Sequence, residues 1–147
     1  MRKQIAQTLL FGGVDNDRIA GNTGDDVLFG DAGADTFVAG PGQGFDVIFD
    51  FNQDEGDILE VNGINAADLL ASATQIAIDF SVLNAQAEPP TGSNVLPVES
   101  LFDAGLLDDL QDLELPATNT ATSLQVFGTV IVLIGIAESD LSINSLA

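Results

Sequence analysis

Between residues 12 and 51 the apolar positions recur at a spacing that fits neither an amphipathic helix nor a long alternating strand. Stacked by nine, the chain reads GGVDNDRIA (12–20), GNTGDDVLF (21–29) and GDAGADTFV (30–38). Gly12, Gly21 and Gly30 open the three copies, Asp17, Asp26 and Asp35 stand sixth, and Ile19, Leu28 and Phe37 stand eighth. After two extra residues, Ala39 and Gly40, a fourth copy runs from Gly42 through Gly44 and Asp46 to Phe49. A degenerate copy precedes the first, with Leu10 in the apolar phase and Thr8 in place of the Asp. At this chain's residue frequencies, Gly, Asp and an apolar residue at three fixed places coincide in about 0.5% of nonapeptides, so three tandem copies by chance fall on the order of 10⁻⁷.

Each copy predicts a turn followed by a short strand. Six residues rich in Gly, Asn and Asp favour a turn, with Gly wherever φ must be positive. The next three alternate, and the eighth position points inward. Such a unit cannot bury itself, but stacked copies can, as a coil of two parallel sheets joined by loops.

The pattern changes near residue 60. Residues 65–70 read as a helix start, with Asn65 as N-cap and Asp68 three residues later. Residues 75–80 alternate as a strand, and 124–136, rich in Val and Ile, read as another. Pro89, Pro90, Gly92 and Pro97 make 85–97 a loop. Leu-rich residues 101–115, with Asp between, predict one or two helical turns or a short amphipathic helix. The acids Asp50, Asp54, Glu55, Asp57 and Glu60 are compatible with another ion site, but the simpler reading is a solvated turn. The chain thus divides into a roll, 1–60, and a β-rich cap, 61–147.

Composition narrows the chemistry. The 147 residues carry 23 acids and 3 bases, a formal charge of −20, and 46% are hydrophobic. That is enough apolar material for a core, and the wrong sign for nucleic acid or an anionic membrane. Without Cys or His there is no disulfide, zinc site or Ser-His-Asp triad. The longest nearly apolar run, 126–137, is too short to span a bilayer. Arg2 and Lys3 precede an apolar stretch that lacks a small-residue cleavage site, so no N-terminal signal peptide is read. Ten of the acids are Asp within 12–60. Stacked one strand spacing apart, about 4.8 Å, they repel unless a cation lies between them. Hard oxygen ligands, carboxylate and carbonyl, select Ca²⁺.

These repeats resemble the GGxGxDxUx nonapeptide of RTX (repeats-in-toxin) calcium-binding proteins. The stretch from Phe45-Asp46-Val47-Ile48-Phe49-Asp50-Phe51 to Asp57-Ile58-Leu59 is similar to the family's closing segment, and Thr129 to Leu133 with Ile136 to Leu141 to its last strand and tail. The resemblance implies a mainly β fold, a short right-handed parallel β-roll of about two turns, followed by a β-rich cap with one or two short helices. Two nonapeptides then make one turn, so loop n stacks on loop n+2. Asp17 pairs with Asp35, completed by carbonyls of Gly12, Val14, Asp31 and Gly33. Asp26 pairs with Asp46, completed by carbonyls of Gly21, Thr23, Gly42 and Gly44. At least two Ca²⁺ ions follow, and Thr8 should not complete a third site. Asp15 and Asp31 stand where the family prefers Gly or Asn, types that tolerate positive φ.

The resemblance further implies a chain exported unfolded by a one-step route that reads the C-terminus, then folded outside by Ca²⁺, with no catalysis of its own. Residues 81–125 are an insertion relative to such relatives. An adhesion or matrix-binding module, using that insertion or an apolar roll face, is the alternative. Strand parity defines the faces: Leu9, Phe11, Val27, Phe29, Val47 and Phe49 point outward from one sheet, and Arg18, Ala20, Thr36 and Val38 from the other. The cap is expected on the first sheet and water on the second.

Overall fold

The computed structural model describes residues 9–42, 44–79, 95–97, 120–126 and 128–146. Each copy folds as a glycine-rich turn and a three- to five-residue strand. These are β1 (Leu9–Gly13), β2 (Arg18–Ala20), β3 (Val27–Asp31), β4 (Thr36–Ala39) and β5 (Phe45–Ile48). Successive strands alternate between two sheets, because the turn reverses the chain and each strand is too short to do more than cross. On the first sheet Leu10 lies beside Leu28 and Leu28 beside Ile48; on the second Ile19 lies beside Phe37. All these pairings are parallel.

A further strand, β6 (Ile58–Val61), joins the second sheet with Leu59 beside Phe37. The second sheet is therefore β2-β4-β6. The two sheets enclose the eighth-position residues: Ile19, Leu28, Phe37, Ile48 and Leu59 are all at most 7% exposed. Phe51 closes on Phe37 with ring centroids 5.9 Å apart. The fold is a β-roll, mainly β, as the repeat pattern predicts.

Beyond β6, Asn65 accepts from the Asp68 N–H at 2.8 Å and caps α1 (Ala66–Ala71), which drives Leu69 into the core. Then follow β7 (Thr74–Asp79), β8 (Val95–Pro97), β9 (Thr120–Val126) and β10 (Thr129–Ile134), and two 3₁₀ turns, Glu138–Asp140 and Ile143–Ser145. The single strand predicted over 124–136 is instead an antiparallel hairpin, β9 to β10, bent at Gly128, whose φ of 79° favours glycine. Residues 95–97, predicted as loop, form a short parallel edge strand on β7. Its final proline lacks an N–H, which an edge tolerates. The helical turns or helix predicted for 101–115 and most of the 81–125 insertion lie outside the described residues. No described helix is long and apolar enough to cross a membrane.

The cap meets the roll edge to edge. β10 pairs in parallel with β5, so the first sheet runs β1-β3-β5-β10-β9-β7-β8. The two-residue insertion serves this junction, since the Gly40 carbonyl accepts from buried Thr129 Oγ1. The outward row of the first sheet is buried at Val27, Phe29, Val47 and Phe49. Phe11, Phe29 and Phe49 stack with centroids 5.0 and 5.2 Å apart, and only Phe11, at 51%, is strongly exposed. The second sheet's outward face is wetter. There Arg18 makes a bidentate 3.0 Å pair with Glu60 that lowers the Glu60 pKa.

Phe37→Ala should destabilise the protein by about 3–5 kcal/mol, the usual result of emptying a fully buried aromatic site. Phe11→Ala, at the open end of the ladder, should cost only about 0.5–1.5 kcal/mol. Denaturant unfolding of both variants checks this, and equal losses would contradict the assigned core.

Candidate metal centre

The turns stack two copies apart. Ala32 N–H donates to the Gly13 carbonyl at 2.9 Å. Fifth-position side chains reach across the same gap: Asn16 Oδ1 accepts from Ala34 N–H at 2.8 Å, and Asp25 Oδ1 from Phe45 N–H at 3.0 Å. The approach is close enough to demand glycine. A Cβ on Gly33 would strike the Asp15 carbonyl, and one on Gly44 the Gly24 carbonyl. At the second position Asn22 and Asp31 adopt φ of 66° and 65°, so Asp31 accepts the left-handed conformation expected of it. Asp15 does not; it alone breaks the left-handed series kept at the fourth position by Gly24, Gly33 and Gly44.

This stacking lines up the sixth-position carboxylates. Asp17 N–H donates to Asp35 Oδ1 at 2.8 Å, and Asp26 N–H to Asp46 Oδ1 at 3.2 Å. Both pairs implied by the resemblance are thus brought together, on opposite sides of the roll. The first column continues, because Asp35 N–H donates to Asp57 Oδ1 at 2.9 Å. Asp26, Asp35, Asp46 and Asp57 are each at most 2% exposed. In every pair one oxygen is spent on a backbone amide. The second oxygens of Asp17 and Asp35 are buried and accept no hydrogen bond. Such an orphan normally costs about 1–3 kcal/mol, so it calls for a ligand.

Electrostatics points the same way. Burial pushes the Asp46 pKa up to about 7, opposed by the Asp26 amide and reinforced by the charges of Asp26 and Asp25. Burial likewise raises Asp57, which accepts from Asp35 and Asn52 and is repelled by Asp35 and Asp50. Asp50 is raised by burial too, although Gly30 and Asp31 donate to it at 2.8 and 2.7 Å. A divalent cation between Asp26 and Asp46 would relieve Asp46.

The donor set suits Ca²⁺: every available atom is a hard oxygen, and neither thiolate nor imidazole exists in the chain. Among the described residues no three acidic side chains are placed to hold one metal ion together, so the carboxylate pairs need backbone carbonyls to fill a shell. The first-position glycines leave room at the columns; a Cβ on Gly21 or Gly30 would collide with Asp26 or Asp35 Oδ2.

The expected carbonyl donors Gly12, Val14, Asp31 and Gly33 lie in the two turns flanking Asp17 and Asp35, and Gly21, Thr23, Gly42 and Gly44 in those flanking Asp26 and Asp46. Val14 is 83% exposed, and the Gly44 carbonyl already accepts from Val130 N–H at 2.9 Å, leaving one lone pair. Thr8 lies outside the described residues.

The solvated-turn reading of the acids after the repeats holds for exposed Asp54 and Glu55 and fails for Asp57. A longer turn, 50–56, hides the phase, yet Asp57-Ile58-Leu59 repeats the sixth-to-eighth pattern, and that alternation was the available signal.

The fold is a β-roll whose stacked turns align carboxylates in two columns. Residues 11–48 match the family described as RTX calcium-binding nonapeptide repeat (4 copies), so about a quarter of the chain consists of those repeats. No curated protein and no solved structure matches the chain.

A carboxyl whose pKa is raised on folding holds more protons in the folded state. Its contribution is therefore greatest below about pH 4 and is lost as pH rises towards 7. Asp50 and Asp57 act in the same sense. Metal-free protein should melt at a higher temperature at pH 5 than at pH 7.5, and added Ca²⁺ should narrow the gap. Calorimetry at the two pH values checks this; a metal-free protein more stable at pH 7.5 would contradict it.

Proposed function

We propose that the roll is a calcium-triggered folding module in a secreted protein, exported by a one-step route and folded once outside. The observation that carries this reading is the pair of buried Asp columns, whose like charges oppose compaction in the absence of a cation. A net charge of −20 opposes it further. At low Ca²⁺ the chain remains loose and exportable; at high Ca²⁺ the columns fill and the sheets close. Ions bound only by the folded state stabilise it by mass action, about 4 kcal/mol per site at a thousandfold excess over Kd.

Two ions are assigned, one between Asp17 and Asp35, the other between Asp26 and Asp46, with carbonyls of the flanking turns completing each shell. The role is structural rather than catalytic. Adhesion through an apolar roll face finds little support, since Val27, Phe29, Val47 and Phe49 are buried.

Circular dichroism and thermal melting of the 147-residue protein, with millimolar Ca²⁺ and then with excess chelator, test the reading. The expected result is a large rise in strand content and melting temperature on adding Ca²⁺. An unchanged midpoint would overturn it. Titration calorimetry should count at least two ions. Asp46→Ala should remove one and leave the first column's ligands in place. Asp35→Ala should be the more damaging variant, because Asp35 has a carboxylate neighbour on both sides.

A further inference from the structure

The last turn of the roll and the final described residues of the chain are tied together by one side chain. Gln53 Oε1 accepts from Ser142 N–H at 2.8 Å and from Ser145 Oγ at 2.6 Å, and Gln53 Nε2 donates to the Asp140 carbonyl at 3.0 Å. Around this clasp, Leu141 and Leu146 are buried and Leu146 bridges to Leu59 of β6. A cleft of ≈ 330 Å³ runs between the turn and the tail, with Gln53 and Asp57 on one wall and Ser142 and Ser145 on the other.

The turn that presents Gln53 is itself closed by the carboxylate column. Asn52 N–H donates to Asp57 Oδ2 at 2.8 Å, and Asp57 N–H returns a bond to the Asn52 carbonyl at 3.2 Å. Gly56 N–H donates to the Gln53 carbonyl at 3.2 Å. The other oxygen of Asp57 accepts from Asp35. Asp57 therefore belongs to two structures at once: the buried acidic column and the turn that aims Gln53. Repulsion among Asp35, Asp50 and Asp57 in the absence of a cation works against the turn. An ion on Asp35 relieves its repulsion of Asp57, and through the Asp35 N–H bond to Asp57 it steadies the turn and Gln53.

We infer that Gln53 is a calcium-dependent latch, which docks residues 138–146 on the roll in the loaded protein and lets them go in the metal-free one. The inference rests on the calcium reading above. It assigns to Gln53 a positioning role, since it sits outside the columns and offers the ion nothing. Accessibility of the last residues then becomes a function of calcium, with no change in their own sequence or chemistry.

Hydrogen exchange with mass spectrometry on the intact protein tests this, in Ca²⁺ and in chelator, following peptides from the tail and from β3 to β6 together with the ion count. In wild type the tail amides should exchange at least about tenfold faster in chelator than in Ca²⁺. Gln53→Ala in Ca²⁺ should keep its ions and its protected strands, yet exchange the tail about tenfold faster than wild type, the effect of losing hydrogen bonds that sum to a little over one log unit. Ser145→Ala, a change in the tail itself that spares the 50–57 turn, should give a smaller acceleration in the same peptides. It keeps the test decisive if Gln53→Ala fails to fold. A tail equally protected with and without bound Ca²⁺, or unaffected in every variant that folds, overturns the latch while leaving the ion count intact. A wild type that binds no Ca²⁺ overturns the calcium reading instead.

Discussion

Like-charged carboxylates stacked at strand spacing are the constraint on which the rest depends. A parallel two-sheet coil repeats its turns about 4.8 Å apart, so any acid kept at one turn position forms a column. Asp17, Asp35 and Asp57 form one and Asp26 and Asp46 the other, mostly out of water. Burial that would ordinarily be avoided is here concentrated at the roll's two edges. The backbone amides of the neighbouring turn neutralise part of it, and the orphaned oxygens of Asp17 and Asp35 leave the remainder to a cation. On the proposed reading, folding and ion binding are a single equilibrium.

The glycines follow from the same constraint. Turns stacked this tightly have carbonyls where side chains would be, as at Gly33 and Gly44. The first-position glycines keep a Cβ out of the Asp carboxylates. What the turns give up in side chains the strands recover, with Leu28, Phe37, Ile48 and Leu59 filling a narrow core. The cap then solves the end problem of a coil. The exposed edge of β5 is paired by β10, and β9 and β7 carry the sheet on, so that edge never meets water.

How the tail is held shows the roll and the cap as one mechanical unit. Gln53 stands in the turn that closes the first column and grips residues far along the chain through both ends of its amide. Placed one residue earlier or later, a glutamine in a solvated turn would be unremarkable. Its effect comes from Asp57 being buried behind it.

The nine-residue period by itself determined the coil and its strand phase, because turn chemistry and the inward eighth position are local properties that each copy states again; which Asp faces which was implied only by the resemblance to RTX repeats. The helix at Asn65 was legible for the same reason: its cap lies within three residues. Other features were decided only in three dimensions. Asp57 reads as one more acid in an acidic turn until β6 pairs with β4 and carries it into the column, since burial depends on a neighbour 22 residues away. The run over 124–136 reads as one strand, and it became a hairpin because Gly128 could bend and β5 offered β10 an open edge. The cap was expected on the first sheet, whose outward Val27, Phe29, Val47 and Phe49 are buried; that it also extends the same sheet through the edge of β5 was not expected. Periodicity reports which side of a strand is apolar; it carries no record of which distant strand supplies the hydrogen bonds.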